Sequence, residues 1–168
     1  MTQSNLDSRP PLLVFDNQRF ATVALAPHDP ASFWRATAKT PALCVWDTFT
    51  QAVVAKAKTS GSSGIVKVPY ADLSRSTISR ELLAAPDVGD HDPSRLSQII
   101  ASMITAQQNG ELIKDELLTN GKANLFPCGS RLVYVNWEDL DLYWEVSAWS
   151  PDSVVRAGCR VFSGNLIY

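Results

Sequence analysis

Three small groups of residues carry side chains able to do chemistry. The first is Asp87-Val-Gly-Asp-His-Asp92, an acidic loop with one imidazole. Carboxylate oxygens beside an imidazole nitrogen suit a divalent cation. Asp90, His91 and Asp92 are therefore candidate ligands for a small metal-dependent hydrolase. The second is Cys128, in Phe126-Pro-Cys-Gly-Ser130. Its thiol would need a histidine such as His91, and an acid, to serve as a nucleophile. The third is a run of acids and rings: Glu138, Asp139, Asp141, Tyr143, Glu145 and Trp149. Aromatic rings anchor protein interfaces, and carboxylates beside them favour a basic protein partner.

Each group also has a plainer reading. Asp92 precedes Pro93 and suits the cap of a helix. A thiol at a strand edge is more often structural than reactive. Tyr143 and Trp149 could lie under a further layer of the fold. His28, His91-Asp92 and a later Asp139 or Asp141 echo the residue order of the HD phosphohydrolases. That family is all-helical and holds its His-Asp pair within a helix, whereas Pro93 follows the pair directly here.

A fourth stretch, Leu73-Ser-Arg-Ser-Thr-Ile-Ser-Arg-Glu-Leu-Leu83, resembles the recognition helix of helix-turn-helix regulators. The resemblance covers about a dozen residues. It implies a helix over 74–85, with Ser74 as cap and Leu73 and Ile78 as hydrophobic staple. Arg75, Ser76 and Arg80 would then face DNA, reaching base edges and phosphates. The family's preceding helix is not matched, because Ile65–Val68 reads as a strand stopped by Pro69.

The elements that must hold these groups can be read from spacing. Leu12–Phe15 and Phe20–Leu25 are β-rich runs that predict an N-terminal hairpin. Asp29-Pro30, Thr40-Pro41, Asp92-Pro93 and Ser150-Pro151 each set a capping side chain before a proline, which reads as a helix start. The first predicts a helix to about Ala38. The second predicts one to about Lys58, although its β-branched content leaves a strand open. After Asp92-Pro93, Leu96, Ile99, Ile100, Met103 and Ile104 form one apolar stripe, closed by Asn109-Gly110. A second short helix is expected over Glu111–Leu118.

From Arg131 the period changes to two. Arg131–Trp137 and Asp141–Trp149 predict antiparallel strands. Leu142, Trp144, Val146 and Ala148 fall on one face, and Asp141, Tyr143, Glu145 and Ser147 on the other, with Trp149 beyond them. Cys159–Phe162 and Leu166–Tyr168 add strand.

The 168 residues suffice for one core, and the hydrophobic share of 45% is that of a globular chain. The expectation is a flexible tail at 1–11 and a single α+β domain at 12–168. That domain would hold an N-terminal hairpin and helices, one central amphipathic helix and a C-terminal antiparallel, tryptophan-rich sheet. No apolar run is long enough to span a bilayer. Three widely spaced cysteines form no disulfide framework, which points to reduced thiols and a cytoplasmic setting. No Gly-rich phosphate loop or other cofactor fingerprint is present, so no cofactor is expected.

A net charge of −2 does not favour nucleic acid. The halves differ, however. Residues 1–85 carry 9 Lys/Arg against 6 Asp/Glu, and residues 86–168 carry 6 against 11. That asymmetry can steer a partner and leaves head-to-tail self-association open. The leading expectation is a non-catalytic binding or regulatory module that uses its acidic, aromatic sheet face. A DNA-binding regulator comes second and a metal-dependent hydrolase third.

Overall fold

The computed structural model describes residues 11–15, 19–35, 42–109 and 117–168. In chain order its strands are β1 (Phe20–Leu25), β2 (Leu43–Val45), β3 (Gly64–Asp72), β4 (Thr77–Ile78), β5 (Asn124–Cys128), β6 (Arg131–Glu138), β7 (Tyr143–Trp149), β8 (Val154–Val155) and β9 (Arg160–Phe162). Its α-helices are α1 (Pro30–Arg35), α2 (Asp47–Ala52), α3 (Ser79–Ala84) and α4 (Pro93–Gln108). A single turn of 3-10 helix covers Val54–Lys56. The class is α+β, as the sequence predicts. Among the described residues, no helix is long and apolar enough to cross a membrane.

Seven strands form one sheet, in the order β1-β3-β9-β5-β6-β7-β2, and β4 and β8 pair separately. The β5-β6-β7 segment is the expected antiparallel meander. The sheet as a whole is mixed, because β9 runs parallel to β5 and β2 parallel to β7. Parallel neighbours need long connections, and both of these pairs join strands distant in the chain.

Helix α4 forms as its sequence dictates. The Asp92 side chain accepts from the Arg95 N–H at 3.0 Å, and Pro93 takes the first helical position. Its stripe of Leu96, Ile99, Ile100 and Ile104 is fully buried against one face of the sheet. Each such side chain contributes about 1.5–3 kcal/mol relative to exposure. The opposite face holds a second cluster around Leu82, Leu125, Leu132, Val155 and Val161. Short α3 and the 12–15 stretch pack over that end of the sheet.

Several local expectations change. Leu12–Phe15 is not a strand, and β1 pairs with β3 instead of forming an N-terminal hairpin. The helix expected from Pro41 to Lys58 is β2, α2 and the 3-10 turn. Val146 and Ala42 carbonyls take the N–H groups of Trp46 and Trp144, so strand pairing overrides the helical spacing there. Of the four capped prolines, Pro30 and Pro93 open helices and Pro151 sits in a turn. The tail up to Pro10, Thr40-Pro41 and most of the helix expected at 111–118 lie outside the described residues.

Leu142 is also displaced from its predicted row. It sits in the β6–β7 turn at φ 54 and is 62% exposed, and the strand begins one residue later. A left-handed backbone cannot continue a pleated strand, so the side chain leaves the core face.

Candidate functional site

Side chains of β6 and β7 point to alternate faces, and the inward positions fill the α4 face with Val133, Val135, Trp144, Val146 and Ala148. The intervening positions therefore share the other face. Their register sets Leu132 opposite Trp149, Tyr134 opposite Ser147, Asn136 opposite Glu145 and Glu138 opposite Tyr143. On the neighbouring strand β2, Cys44 stands opposite Glu145. The sheet thus assembles an acidic, aromatic row from residues that the sequence predicted on one face, and adds Tyr134, Asn136 and Cys44 to it.

The row is half-buried at Tyr134, Glu138, Tyr143, Glu145 and Trp149. Tyr134 and Trp149 stack with ring centroids 4.5 Å apart and 24° between planes. Trp149 also packs against the second core cluster, so its ring is partly covered. Asn136 Nδ2 donates to Glu138 Oε1 at 2.9 Å. Burial, followed by the charges of Glu145 and Glu138, pushes the Tyr134 hydroxyl up to about 12. Desolvation and the same two carboxylates raise Tyr143. Among the described residues, neither Glu138 nor Glu145 forms an ion pair with a cation of the chain. Asp139 and Asp141 lie exposed in the adjoining turn and extend the negative charge beyond the strands.

The helix-turn-helix-like stretch takes another form. The helix expected over 74–85 is confined to Ser79–Ala84, six residues, and Thr77–Ile78 pairs with β8. Strand β3 precedes it, not a helix. Ser74 donates its hydroxyl to the Pro11 carbonyl at 2.8 Å and caps no helix. Ile78 is exposed, so the staple is not formed. Arg75 pairs with Glu81 at 2.9 Å and Arg80 with Asp152 at 2.7 Å. The Ser76 hydroxyl accepts from the Ala157 N–H at 3.2 Å.

The 87–92 loop is spent on internal bonds. Asp90 accepts from the Gly129 N–H at 2.7 Å, and Asp92 caps α4. His91 Nε2 donates to the Phe162 carbonyl at 2.9 Å, and its buried Nδ1 has no partner among the described residues. Burial lowers the His91 pKa, against the Phe162 bond and the Asp90 charge. Among the described residues, no three His, Cys, Asp or Glu side chains come together in a way that could hold a metal. Burial pushes the Cys128 thiol up to about 11, with the Asp90 charge adding to it, so the nucleophilic thiolate is disfavoured.

The other histidine joins a buried network that the sequence did not reveal. Ser97 Oγ takes the Trp34 Nε1–H at 2.8 Å and lies 2.7 Å from His28 Nε2. The His28 ring sits edge-on to Phe33 and Trp34. Its backbone exchanges hydrogen bonds with Ser60 across the chain. Those partners are 69 and 63 residues from Ser97, beyond any local pattern.

Asn136 is the site residue most easily overlooked in sequence. Its signal is an amide interrupting Leu132-Val-Tyr-Val-Asn-Trp137, a run otherwise suited to a buried strand. Comparison with known proteins adds no functional label, because no family model, curated protein or solved structure matches the chain.

Proposed function

We propose that this chain is a non-catalytic binding or regulatory module that engages a basic segment of a protein partner through the outer face of β6 and β7. The observation that carries the reading is the pair Glu138 and Glu145. Both are half-buried beside two aromatic rings, and among the described residues no cation of the chain neutralises them. Partly desolvated carboxylates attract cations more strongly than fully solvated ones, and rings beside them supply contact area. Tyr143 and Trp149 flank the charged pair, and Asp139 and Asp141 widen the field that steers an approaching basic chain.

Three free thiols support a reducing, cytoplasmic setting for this module, and residues 12–168 would act as one domain. The DNA reading is weaker because Arg75 and Arg80 already hold local carboxylates.

The test is calorimetric titration of the full chain with a basic synthetic peptide at several salt concentrations. Wild type should bind more tightly as salt falls, and Glu145→Lys should weaken binding by more than about tenfold while circular dichroism stays unchanged. Unchanged affinity in a folded Glu145→Lys protein would sink the proposal.

A further inference from the structure

The acidic row contains one buried polar atom that the described residues leave unsatisfied. Asn136 is 6% exposed, and its Nδ2 donates to Glu138 Oε1 at 2.9 Å. That bond fixes the amide, because the flipped rotamer would set the amide oxygen against a carboxylate. Oδ1 is the atom left over, buried and without a hydrogen bond among the described residues. A buried acceptor in that state bears its full desolvation cost, and native structures rarely leave one so without reason. Glu145 stands directly across the strands from Asn136, and Glu138 follows it on the same face. Oδ1 therefore belongs to a side chain that shares its face with two carboxylates, Glu138 and Glu145. Tyr134 lies one step further along the same face and Trp149 two, and their rings stack.

We propose that this cluster is a pocket for a single arginine side chain presented by the basic partner, with Asn136, Glu138 and Glu145 as its acceptors and the Tyr134–Trp149 pair as its stacking surface. The inference rests on the binding reading above and names the residue that anchors it. A guanidinium carries five N–H donors in a rigid plane, so it can serve two carboxylates and an amide oxygen together. It is weakly hydrated, and its flat face stacks on aromatic rings. A lysine ammonium is strongly hydrated and has no plane to match either feature. Calcium would call for roughly six to eight oxygen ligands, and the flanking rings supply only apolar faces and hydroxyls. Glu138 and Glu145 are both only half-buried, so their carboxylates are accessible to a side chain docking on this face.

The experiment is a nuclear magnetic resonance titration of the nitrogen-15-labelled full chain. The probes are a Gly/Ser peptide carrying spaced arginines and its lysine twin of equal charge. The Asn136 side-chain amide and the Trp149 indole report directly on the pocket. Both signals should shift, with an apparent Kd at least about tenfold lower for the arginine peptide, equivalent to about 1.4 kcal/mol. Asn136→Leu should erase the preference for arginine while retaining salt-dependent binding of both peptides. If that variant does not fold, the wild-type comparison decides alone. Equal affinity for the two peptides at this face overturns the arginine pocket and leaves the broader binding reading standing. Arginine-induced shifts that bypass Asn136 and Trp149 overturn the pocket as well. Failure of either peptide to perturb the face overturns both.

Discussion

Tyr134 and Trp149 stack across strands β6 and β7 although they are not register partners: Tyr134 stands opposite Ser147, and Trp149 opposite Leu132. The small serine leaves room for the tyrosine ring to lean diagonally onto the indole, as long aromatic side chains do in antiparallel sheets. Trp149 is consequently both a part of the candidate surface and a support for the second core cluster.

That double role changes what Trp149→Ala should do. Loss of a ring standing only on an outward face would cost partner capture with the fold untouched. The structure predicts lost capture together with a stability loss of about 2 kcal/mol, less than truncation of a fully buried tryptophan. Chemical denaturation measures it. Trp149→Phe should recover most of the stability, and no difference between the alanine and phenylalanine variants would count against the stacking argument.

Stability should fall on mild acidification. Burial lowers the folded-state pKa of both His28 and His91 from the ordinary 6.5. Above that value both folded and unfolded chains hold neutral imidazoles, and the two residues add no pH dependence. As pH falls through 6.5 the unfolded chain takes up protons that the folded chain resists, so stability declines until the lowered folded values are reached. His91 has a specific reason to resist, since its proton would go to a buried Nδ1 with no acceptor, and Asp90 offsets this only in part. Denaturation midpoints measured from pH 7.5 to 5 should decrease, and the slope should shrink in a His28→Gln variant. A flat profile would refute the assignment.

Ser97 should matter more than its size suggests. It is fully buried and is the shared partner of Trp34 and His28. Ser97→Ala strands the Trp34 N–H inside the core, at a cost of about 1–3 kcal/mol. Denaturant unfolding is the measurement, and Ser97→Thr serves as the comparison that keeps the hydroxyl.

The three thiols should react in a fixed order. Cys44 is half-buried on the outer row, whereas Cys128 and Cys159 are buried. With the Cys128 thiol pushed up to about 11, it should stay unmodified by iodoacetamide near pH 8 until the chain unfolds. Peptide mapping by mass spectrometry should find Cys44 alkylated first, and early modification of Cys128 would contradict the structure.

Features set by neighbours in the chain were readable before the structure. Helix α4, its Asp92 cap and its apolar stripe follow from spacing alone, as does the alternation of Trp144, Val146 and Ala148. Features set by distant pairing were not. Val45 has the spacing of a helix but joins β7, whose Ala148 N–H bonds to the Thr48 hydroxyl 100 residues away. The same limit applies to the site. Alternation placed Tyr143, Glu145 and Trp149 on one face, but only the register brings Asn136 against Glu145 and leaves its Oδ1 unbonded. Arg80 illustrates the converse, since its partner Asp152 comes near only once β4 meets β8.

The parallel strand β2 has one more consequence. It covers β7 over Trp144–Val146, while β6 covers the other flank. Glu145 is thus mounted on backbone locked from both sides, not on a mobile loop. Its amide should be among the slowest in the molecule to exchange with heavy water. A surface mounted this way is preformed, so whatever docks there must match its shape and charge as they stand, and selectivity rests on geometry already set by the fold.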